Sequence, residues 1–237
     1  MVKYQGVAND IRKKILDGAY LAGKQLPLEK QMCVEYGVSR ITIRRALDEL
    51  VNQGLVIKRR GSGTFVKSVE DEDIRELSVL KQFTGFSETY KSSKVETVLI
   101  KFDIIHPTDE VAAKLHMTTE DFVYDIIRAR SADGRPIVVE YTQMPIGLIP
   151  GIRREILEKS IYTYIQQDLQ LKIQSAHRTL RAVMPNEMEE KYLQLQDIVM
   201  PLLEVEQVAF LDDGRPFEFS ISRHRGDEIS FKTVSIK

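Results

Sequence analysis

The stretch Gly37-Val38-Ser39-Arg40-Ile41-Thr42-Ile43-Arg44-Arg45-Ala46-Leu47 decides the fold of the N-terminal part of the chain. Glycine readily adopts the left-handed conformation that ends many helices, so Gly37 is predicted to close one helix. The Ser39 hydroxyl can accept a hydrogen bond from a backbone N–H of a first helical turn, so Ser39 is predicted to begin the next helix. We therefore expect two helices joined by a short turn.

The second of these helices is predicted to have one apolar face and one basic face. Its apolar residues recur at helical spacing and would face a core; they are Ile43, Ala46, Leu47 and Leu50. Arg40 and Arg44 are four residues apart and project from the other side, near the helix N-terminus. This combination is typical of a recognition helix that enters the DNA major groove. A basic face that meets only solvent is the alternative.

Charge is divided unevenly along the 237 residues, although the net charge is only −1. Residues 1–67 contain 13 Lys and Arg against 6 Asp and Glu, whereas the rest of the chain contains 21 against 29. A basic segment attached to an acidic body indicates a polyanionic partner for the segment. Membrane surfaces are also polyanionic, but the segment lacks a long amphipathic stretch with exposed large apolar residues. Nucleic acid is therefore the expected partner.

The composition is that of a globular protein. The apolar fraction is 43% and the charged fraction is 29%, which are ordinary values for this class. A single cysteine, Cys33, excludes an internal disulfide and suits a reducing compartment. The N-terminus lacks a signal-peptide pattern, and no apolar run approaches membrane-spanning length. We therefore expect a cytoplasmic protein with no membrane partner.

Three helices followed by a hairpin are predicted before residue 68. Apolar spacing indicates one helix around Ile11, one after Pro27, and one from Ser39 to about Gln53. Two strand-like runs follow, separated by a basic tip, Lys58-Arg59-Arg60-Gly61-Ser62-Gly63.

The glycines of this tip have two interpretations. Gly61 and Gly63 would let the backbone approach a phosphate or a minor groove closely. A plain hairpin that needs glycines to turn is the alternative, and it leaves the adjacent Lys58, Arg59 and Arg60 unexplained.

This region resembles the DNA-binding domain of the GntR family, which is a winged helix-turn-helix. The matching stretches span nearly all of residues 4–66; they are Leu26 to Glu29, Tyr36 to Leu47, Gly54 to Val56 and Gly61 to Val66. Leu28 departs from the family, which usually has a serine N-cap there. The resemblance implies binding to double-stranded DNA at a short inverted-repeat operator. The DNA contacts that it implies are Lys30, Ser39, Arg40, Thr42, Arg44, Arg60, Gly61 and Gly63.

An acidic run, Glu70-Asp71-Glu72-Asp73, follows the hairpin and is predicted to lie in a solvated linker. We therefore divide the chain into a DNA-binding domain of residues 1–68, a linker of residues 69–79, and a C-terminal domain of residues 80–237.

The C-terminal region contains an internal repeat. Asp133-Gly134-Arg135-Pro136 recurs as Asp213-Gly214-Arg215-Pro216, and each copy lies between two strand-like runs that follow a short helix signal. Repeated helix–strand–turn–strand units indicate an α+β domain built on a mostly antiparallel sheet with helices on one face. The fold class of the chain is therefore predicted to be α+β.

The repeat permits a comparison within the chain. Arg128 and Arg130 alternate on a strand and therefore point to one face, where they would form a fork for a carboxylate or a phosphate. Alignment of the two Asp-Gly pairs places Val208 and Phe210 at the equivalent positions, so the fold is predicted to accept apolar residues there. The alternative is a solvated strand whose arginines pair with nearby carboxylates.

This region resembles the UTRA domain, the effector-sensing half of HutC-type GntR regulators, over residues 80–232. The supporting residues are Gly85 to Glu88, the array from Arg128 to Glu140, Ser160 to Tyr162, and the run from Glu218 to Asp227. Ser160 also has the character of an N-cap. The resemblance implies a pocket for a small anionic effector, which is a phosphorylated sugar in several relatives. The effector contacts that it implies are Gly85, Phe86, Ser87, Arg128, Arg130, Glu140, Ser160, Tyr162, His224 and Arg225.

Two of these positions depart from many relatives, which have a hydroxyl residue at Gly85 and a tyrosine at His224. The turn at Asp133–Gly134 decides whether Glu140 belongs to the pocket. A two-residue turn would pair Arg130 with Ile137 and point Glu140 away from Arg128. A three-residue turn with a glycine bulge would place Arg128 opposite Glu140 on one face, as a shared pocket requires.

Catalysis finds little support in the sequence. The four histidines show no metal-ligand spacing, and no P-loop or dinucleotide-binding glycine loop is present, so neither a metal nor a cofactor is expected. The UTRA fold resembles that of chorismate lyase, so an enzyme acting on a small carboxylated or phosphorylated substrate is the alternative. We predict instead a transcriptional regulator that acts as a repressor. It should be a homodimer, because a two-fold operator requires two DNA-binding heads.

Overall fold

A computed structural model describes residues 3–67 and 85–229, which belong to two separate compact units. The predicted linker, residues 69–79, lies outside the described residues, so the predicted domain boundaries stay a prediction.

The N-terminal unit is a winged helix-turn-helix, which confirms the predicted fold. Its elements are α1 (Lys3–Leu16), α2 (Glu29–Tyr36), α3 (Arg40–Asn52), β1 (Val56–Arg59) and β2 (Gly63–Val66). Gly37 ends α2 with a φ of 61°, and the Ser39 hydroxyl accepts a hydrogen bond from the backbone N–H of Thr42 at 3.3 Å. The turn between α2 and α3 therefore has the geometry that glycine and serine favour at these positions.

The apolar face of α3 forms the centre of the N-terminal core. Ile43, Leu47 and Leu50 are fully buried and pack with Ile11 of α1. Leu28 cannot cap α2 with its side chain, but Gln31 Oε1 accepts a hydrogen bond from the Leu28 backbone N–H at 2.8 Å. One backbone donor at the start of the helix is thus satisfied without a serine cap.

The C-terminal unit is an α+β domain, again as predicted. Its strands are β3 (Val95–Ile105), β4 (Val123–Ala132), β5 (Arg135–Pro145), β6 (Ile173–Val183), β7 (Leu202–Leu211) and β8 (Pro216–Arg225). Its helices are α4 (Phe86–Thr89), α5 (Asp109–Lys114), α6 (Arg154–Leu157), α7 (Ile161–Thr163), which continues as a π-helical turn (Tyr164–Asp168), and α8 (Glu187–Leu193). The strands form one antiparallel sheet in the order β3-β4-β5-β8-β7-β6.

Helices cover both faces of this sheet, so the expectation of helices on one face is wrong. Ile126 of β4 packs with Leu157 of α6 and Ile161 of α7. On the opposite face, Val139 of β5 packs with Leu193 of α8. The repeated helices, α5 and α8, lie on this second face, whereas α6 and α7 cover the first. We call the first face, which also carries Arg128 by its alternation with Ile126, the site face.

The two repeated hairpins differ by one residue in the length of their turns. In the first, Ala132 pairs with Arg135 around a two-residue turn, and the central residues have φ values of 50° and 78°, as a type I′ turn requires. In the second, the backbone N–H of Leu211 donates to the carbonyl of Arg215 at 3.0 Å, so three residues form the turn.

This difference changes the internal comparison. The strand after each turn bulges at equivalent residues, Ile137 and Phe217. Arg128 pairs with Glu140, and the residue that pairs with Ser220, the equivalent of Glu140, is Gln207. The residues equivalent to Arg128 and Arg130 are therefore Gln207 and Ala209, and the predicted equivalence with Val208 and Phe210 is wrong by one residue. A one-residue shift in a strand moves every side chain to the other face.

Candidate functional site

The predicted DNA-contacting arginines of α3 are exposed. The side chains of Arg40 and Arg44 are 68% and 54% accessible to solvent. Both donate a hydrogen bond through Nε to Oε2 of Glu29, at 2.8 and 3.1 Å. Glu29 begins α2 and is not among the predicted site residues, because a contact between two helices leaves no sign in the spacing of either one.

The hydroxyl residues of the same turn take part in the helix cap. Ser39 Oγ and Thr42 Oγ1 are 2.9 Å apart, and either can donate to the other. Ser39 is exposed and Thr42 is half-buried, so both remain accessible from outside. Lys30, near the start of α2, is also exposed.

The two predicted glycines of the wing, the β1–β2 hairpin, have different surroundings. Arg60 and Gly61 are exposed at the tip, and Gly61 has a φ of 77° with open space where a Cβ would lie. Gly63 has a φ of 112°, and a Cβ there would collide with the Gln25 side-chain amide, which donates to the Ser62 carbonyl at 2.7 Å. Packing against Gln25 thus accounts for Gly63 without reference to DNA.

Arg128 and Arg130 are buried on the site face, with 5% and 3% of their surface exposed. Arg128 Nη2 donates to Glu140 Oε2 at 2.6 Å, and Nη1 donates to the Leu157 carbonyl at 3.1 Å. Arg130 Nη2 donates to Ser87 Oγ at 2.8 Å, and its guanidinium carbon lies 4.4 Å from the centre of the Phe86 ring. Arg128 and Arg130 are therefore not a solvated strand face.

Glu140 shares this face because of a bulge rather than a long turn. Arg128 lies directly opposite Glu140, which is the register that a shared pocket requires. The predicted cause, a three-residue turn, is wrong for this hairpin. The turn has two residues, and the extra residue at Ile137 shifts the rest of β5 by one position.

Electrostatic interactions within the cluster favour one carboxylate between two cations. Burial would raise the pKa of Glu140, but the charges of Arg128 and Arg130 outweigh it and lower the pKa. Burial lowers the pKa of Arg130 to about 10, so that side chain is still charged near neutral pH. Burial also lowers the pKa of His224 to about 4, which leaves its imidazole neutral.

Four polar atoms on the site face are buried without a hydrogen-bond partner among the described residues. They are Arg128 Nε, Arg130 Nε, Thr97 Oγ1 and His224 Nδ1. Thr97 pairs with Arg130 across β3 and β4, and His224 pairs with Val138 across β8 and β5, so all four share one face. Unpaired buried polar atoms are rare in folded proteins, and several of them on one face are typical of a binding site for a polar molecule. Thr97 shares this face and was not among the predicted site residues.

Tyr162 belongs to a second polar group on the site face. Its hydroxyl accepts a hydrogen bond from Gln207 Nε2 at 3.3 Å, and Gln207 also donates to Glu218 Oε1 at 2.9 Å. Ser220 Oγ donates to the same Glu218 oxygen at 2.7 Å. Burial raises the pKa of Glu218 and, together with Glu218, the pKa of Tyr162. Gln207 and Ser220 were also missed, since they belong to a repeat whose register the sequence does not show.

Gly85 and Ser160, two further predicted effector residues, both lie at the start of short helices. Gly85 is the N-cap residue just before α4, and a Cβ there would lie 3.3 Å from Tyr162 Cδ2, so a larger residue would press on that ring. Ser160 caps α7 as predicted, since its hydroxyl accepts a hydrogen bond from the Thr163 backbone N–H at 3.2 Å.

Arg225 lies apart from the cluster. Alternation along β8 puts it on the face opposite His224, where it donates to the Leu193 carbonyl at 2.9 Å and to both Asp227 carboxylate oxygens. The structure therefore does not bring Arg225 together with the other predicted effector residues.

Two classes of feature are not found in the described part of the chain. Within residues 3–67 and 85–229, no three His, Cys, Asp or Glu side chains are grouped as a metal site would require. No helix in those ranges is long and apolar enough to cross a membrane.

Comparison with known proteins connects the two units to known domains. Residues 3–66 match the family described as bacterial regulatory proteins, gntR family, and residues 91–230 match the UTRA domain. The HTH-type transcriptional regulator GmuR of Bacillus subtilis is 39% identical over the full length of both chains. The mannosyl-D-glycerate transport/metabolism system repressor MngR of Escherichia coli is 32% identical, with 98% of this chain and 95% of the relative covered.

Solved structures agree with these matches. The crystal structure of a possible transcriptional regulator, YydK from Bacillus subtilis, superposes with a TM-score of 0.76 at 26% identity and covers both chains completely. The relatives are regulators of transcription, so the alternative of a lyase-like enzyme is rejected. From its N-terminal helices to its six-stranded sheet, the chain belongs to the GntR family of DNA-binding transcriptional regulators, of the HutC type that carries a UTRA effector domain.

Proposed function

We propose that the protein is a cytoplasmic, homodimeric repressor that leaves its operator when the C-terminal unit binds a small anionic effector, a phosphorylated sugar. The N-terminal unit binds a short inverted repeat through Lys30, Ser39, Arg40, Thr42 and Arg44 and through the wing at Arg60 and Gly61. Two copies are needed because a two-fold DNA site presents two half-sites.

The main support for an anionic effector is the excess of positive charge in the buried cluster of Arg128, Arg130 and Glu140. Arg128 and Arg130 both carry a positive charge, and Glu140 supplies one negative charge. Arg130 Nη1 lies 4.0 Å from Glu140 Oε1, which is beyond hydrogen-bonding distance. Two buried cations that share one carboxylate are only partly compensated, so a bound phosphate or carboxylate would stabilise this face.

The sugar part of the effector is supported by the polar groups around the cluster. Glu140 and Glu218 carry acceptor oxygens, Ser220 carries a hydroxyl, and His224 presents an unpartnered Nδ1. Groups of this kind hold sugar hydroxyls, which both donate and accept hydrogen bonds. The name of the Escherichia coli relative, which refers to mannosyl-D-glycerate, favours a sugar-derived effector.

In this proposal the effector controls DNA binding by shifting the homodimer from one geometry to another. The effector would favour a state in which the two heads no longer match the half-site spacing. Such a shift requires only that the effector bind that state more tightly than the DNA-bound state.

A thermal-shift screen tests the effector class. Sugar phosphates are compared with the same sugars lacking the phosphate, and small carboxylates form a third group. A bound effector raises the melting temperature by mass action, so we expect the phosphorylated members to raise it and their unphosphorylated partners to leave it unchanged. Stabilisation by neutral sugars alone would contradict the anionic effector.

The second step is an operator titration with each hit. Purified protein is first used to select a duplex from a library with a randomised core, and the selected duplex is then titrated with and without the hit. Release from DNA at the concentrations that stabilise the protein supports a ligand-controlled repressor. Tighter DNA binding would identify an activator or a corepressed regulator instead.

A further inference from the structure

The carboxylate of Glu29 accepts hydrogen bonds from both Arg40 and Arg44 of α3. Its Oε2 accepts from Arg40 Nε at 2.8 Å and from Arg44 Nε at 3.1 Å, and its Oε1 lies 3.4 Å from Arg44 Nε. The Glu29 side chain is only 26% exposed, whereas both arginines are mostly exposed. The carboxylate therefore lies beneath the two guanidiniums, at the first residue of α2.

The hydrogen-bond pattern leaves the outer ends of the arginines available. Within residues 3–67, each guanidinium makes its hydrogen bond through Nε, so its terminal Nη atoms are left for another acceptor. Guanine offers two acceptors in the major groove, and a bidentate arginine contact uses two donors at once. A side chain fixed at Nε has fewer rotamers to lose when it makes that contact.

The negative charge of Glu29 also favours base contacts over phosphate contacts. Burial opposes ionisation of this carboxyl, but the hydrogen bonds from Arg40 and Arg44 lower its pKa below the usual value. A negative charge beside the two cations weakens their attraction to any phosphate, and phosphate attraction dominates binding to non-specific DNA. A contact to a base edge depends more on geometry and less on net charge.

We propose that Glu29 is a specificity-determining positioning residue of the DNA-binding surface. It aims Arg40 and Arg44 at base edges and lowers their attraction to phosphates, so it raises the ratio of specific to non-specific affinity. This inference rests on the proposed DNA contacts of the two arginines.

The test compares Glu29→Gln with a charge-matched control on the same helix. Glu35→Gln removes the same charge from α2, but Glu35 pairs with Lys14 at 2.7 Å and does not contact either arginine. Each full-length variant is titrated against the duplex that the wild type selects and against a scrambled duplex of the same composition. A second selection with each variant then gives its base preference.

We expect Glu29→Gln to lower the specificity ratio about tenfold, the effect of weakening a bidentate arginine–guanine contact. Its affinity for the scrambled duplex should be unchanged or higher, and its selected sequences should be relaxed at the positions read by the two arginines. Glu35→Gln should keep the wild-type ratio within about twofold and keep the wild-type base preference. Glu29→Asp, which keeps the charge but is shorter, should fall between Glu29→Gln and the wild type.

Two results would overturn the proposal. One is a wild-type ratio and base preference in Glu29→Gln. The other is an equal fall of the ratio in Glu29→Gln and Glu35→Gln, which would assign the effect to overall charge. If the wild type itself selects no duplex, the proposed DNA contacts are wrong, and so is the role of Glu29. If the wild type selects a duplex and Glu29→Gln keeps the wild-type ratio of specific to non-specific affinity, only the role of Glu29 is wrong.

Discussion

Arg128 and Glu140 face each other across β4 and β5, with Nη2 of the arginine 2.6 Å from Oε2 of the carboxylate. Both side chains are largely buried, at 6% and 15% exposure. The second cation on the same face, Arg130, contacts Ser87 and the Phe86 ring rather than a carboxylate within hydrogen-bonding distance. Glu140 is thus the shared counter-charge for two buried guanidiniums.

Removing that counter-charge should destabilise the protein and make it respond to anions. Glu140→Gln leaves two buried cations uncompensated, and breaking a buried ion pair typically costs about 3–5 kcal/mol. We expect a loss of this size in urea unfolding, with part of it recovered in millimolar inorganic phosphate. Glu110→Gln is the control and should change stability little, because Glu110 is exposed and its partner Lys114 keeps its second ion pair, with Glu206. Equal stability of the two variants would show that Glu140 is not the shared counter-charge.

The two arginines should be needed for sensing and not for DNA binding. Arg128→Gln, Arg130→Ala and Glu140→Ser together copy the residues of the second repeat, Gln207, Ala209 and Ser220, so the fold accommodates them at equivalent positions. Each lost charge-assisted hydrogen bond to an anion costs about 1.5–3 kcal/mol, so the loss of two should weaken effector binding roughly 10²- to 10⁴-fold.

The measurement for this variant is operator release by the effector, on the wild type and the triple variant. Operator affinity without effector should stay at the wild-type value. Arg135→Ala is the control, since its side chain is 77% exposed at the start of β5. Release of the triple variant at the wild-type effector concentration would remove both arginines from the site.

Arg44 should contribute to base recognition. Arg44→Ala is expected to weaken binding to the selected operator by about 5- to 100-fold, the range for one bidentate arginine–guanine contact. Arg44→Lys keeps the charge but loses the planar fork, so it should lose specificity while keeping the salt dependence of binding. Circular dichroism should show both variants folded. Wild-type affinity in Arg44→Ala would exclude this residue from base readout.

Arg60 should act on DNA in a different way. It is exposed at the wing tip, so Arg60→Ala should weaken binding to the operator and to a scrambled duplex by a similar factor. The slope of log affinity against log salt should fall by about one unit, as expected for the loss of one phosphate contact. Lys91→Ala in the C-terminal unit removes the same charge at an exposed site and should leave the slope unchanged. A changed base preference with an unchanged slope would point to base contacts at the wing.

Stability should depend on pH through His224. Burial and the charge of Arg178 lower its pKa to about 4, and Glu140 opposes them only partly. The unfolded chain binds this proton near the ordinary value of about 6.5, so stability is present above that pH and is lost as the pH falls towards 4. His224→Tyr does not titrate in this window and should lose about 2 kcal/mol less than the wild type between pH 7 and pH 5.

The control for this pH dependence is His116→Asn. His116 is exposed with a φ of 52°, which asparagine tolerates, so its removal should leave the pH dependence unchanged. Parallel pH profiles for His224→Tyr and the wild type would show that His224 is not buried in its neutral form.

The sequence predicted most of what depends on local chemistry. The caps at Gly37 and Ser39, the basic face of α3 and the pairing of helices with hairpins all follow from residue type and spacing. The cap at Ser160 belongs to the same class.

What the sequence could not predict depends on register and on contacts between elements. The bulge at Ile137 places Glu140 opposite Arg128, and no residue type marks it in advance. The contact of Glu29 with Arg40 joins two helices. Thr97 reaches the cluster only because β3 pairs with β4, and neighbouring strands are not identified by alternation. Long-range pairing is therefore where sequence-based reasoning failed.

The unequal turns of the two hairpins also bear on how this domain tolerates insertions and deletions. Since the first hairpin closes over Asp133–Gly134 and the second over one residue more, the same Asp-Gly pair already serves two loop lengths in one molecule. Deleting Asp212 would recreate the shorter loop, with Leu211 still opposite Arg215. Gains and losses of single residues at this point in related chains should therefore leave every strand in register, whereas the same change at Ile137 would turn Glu140 to the far side of the sheet.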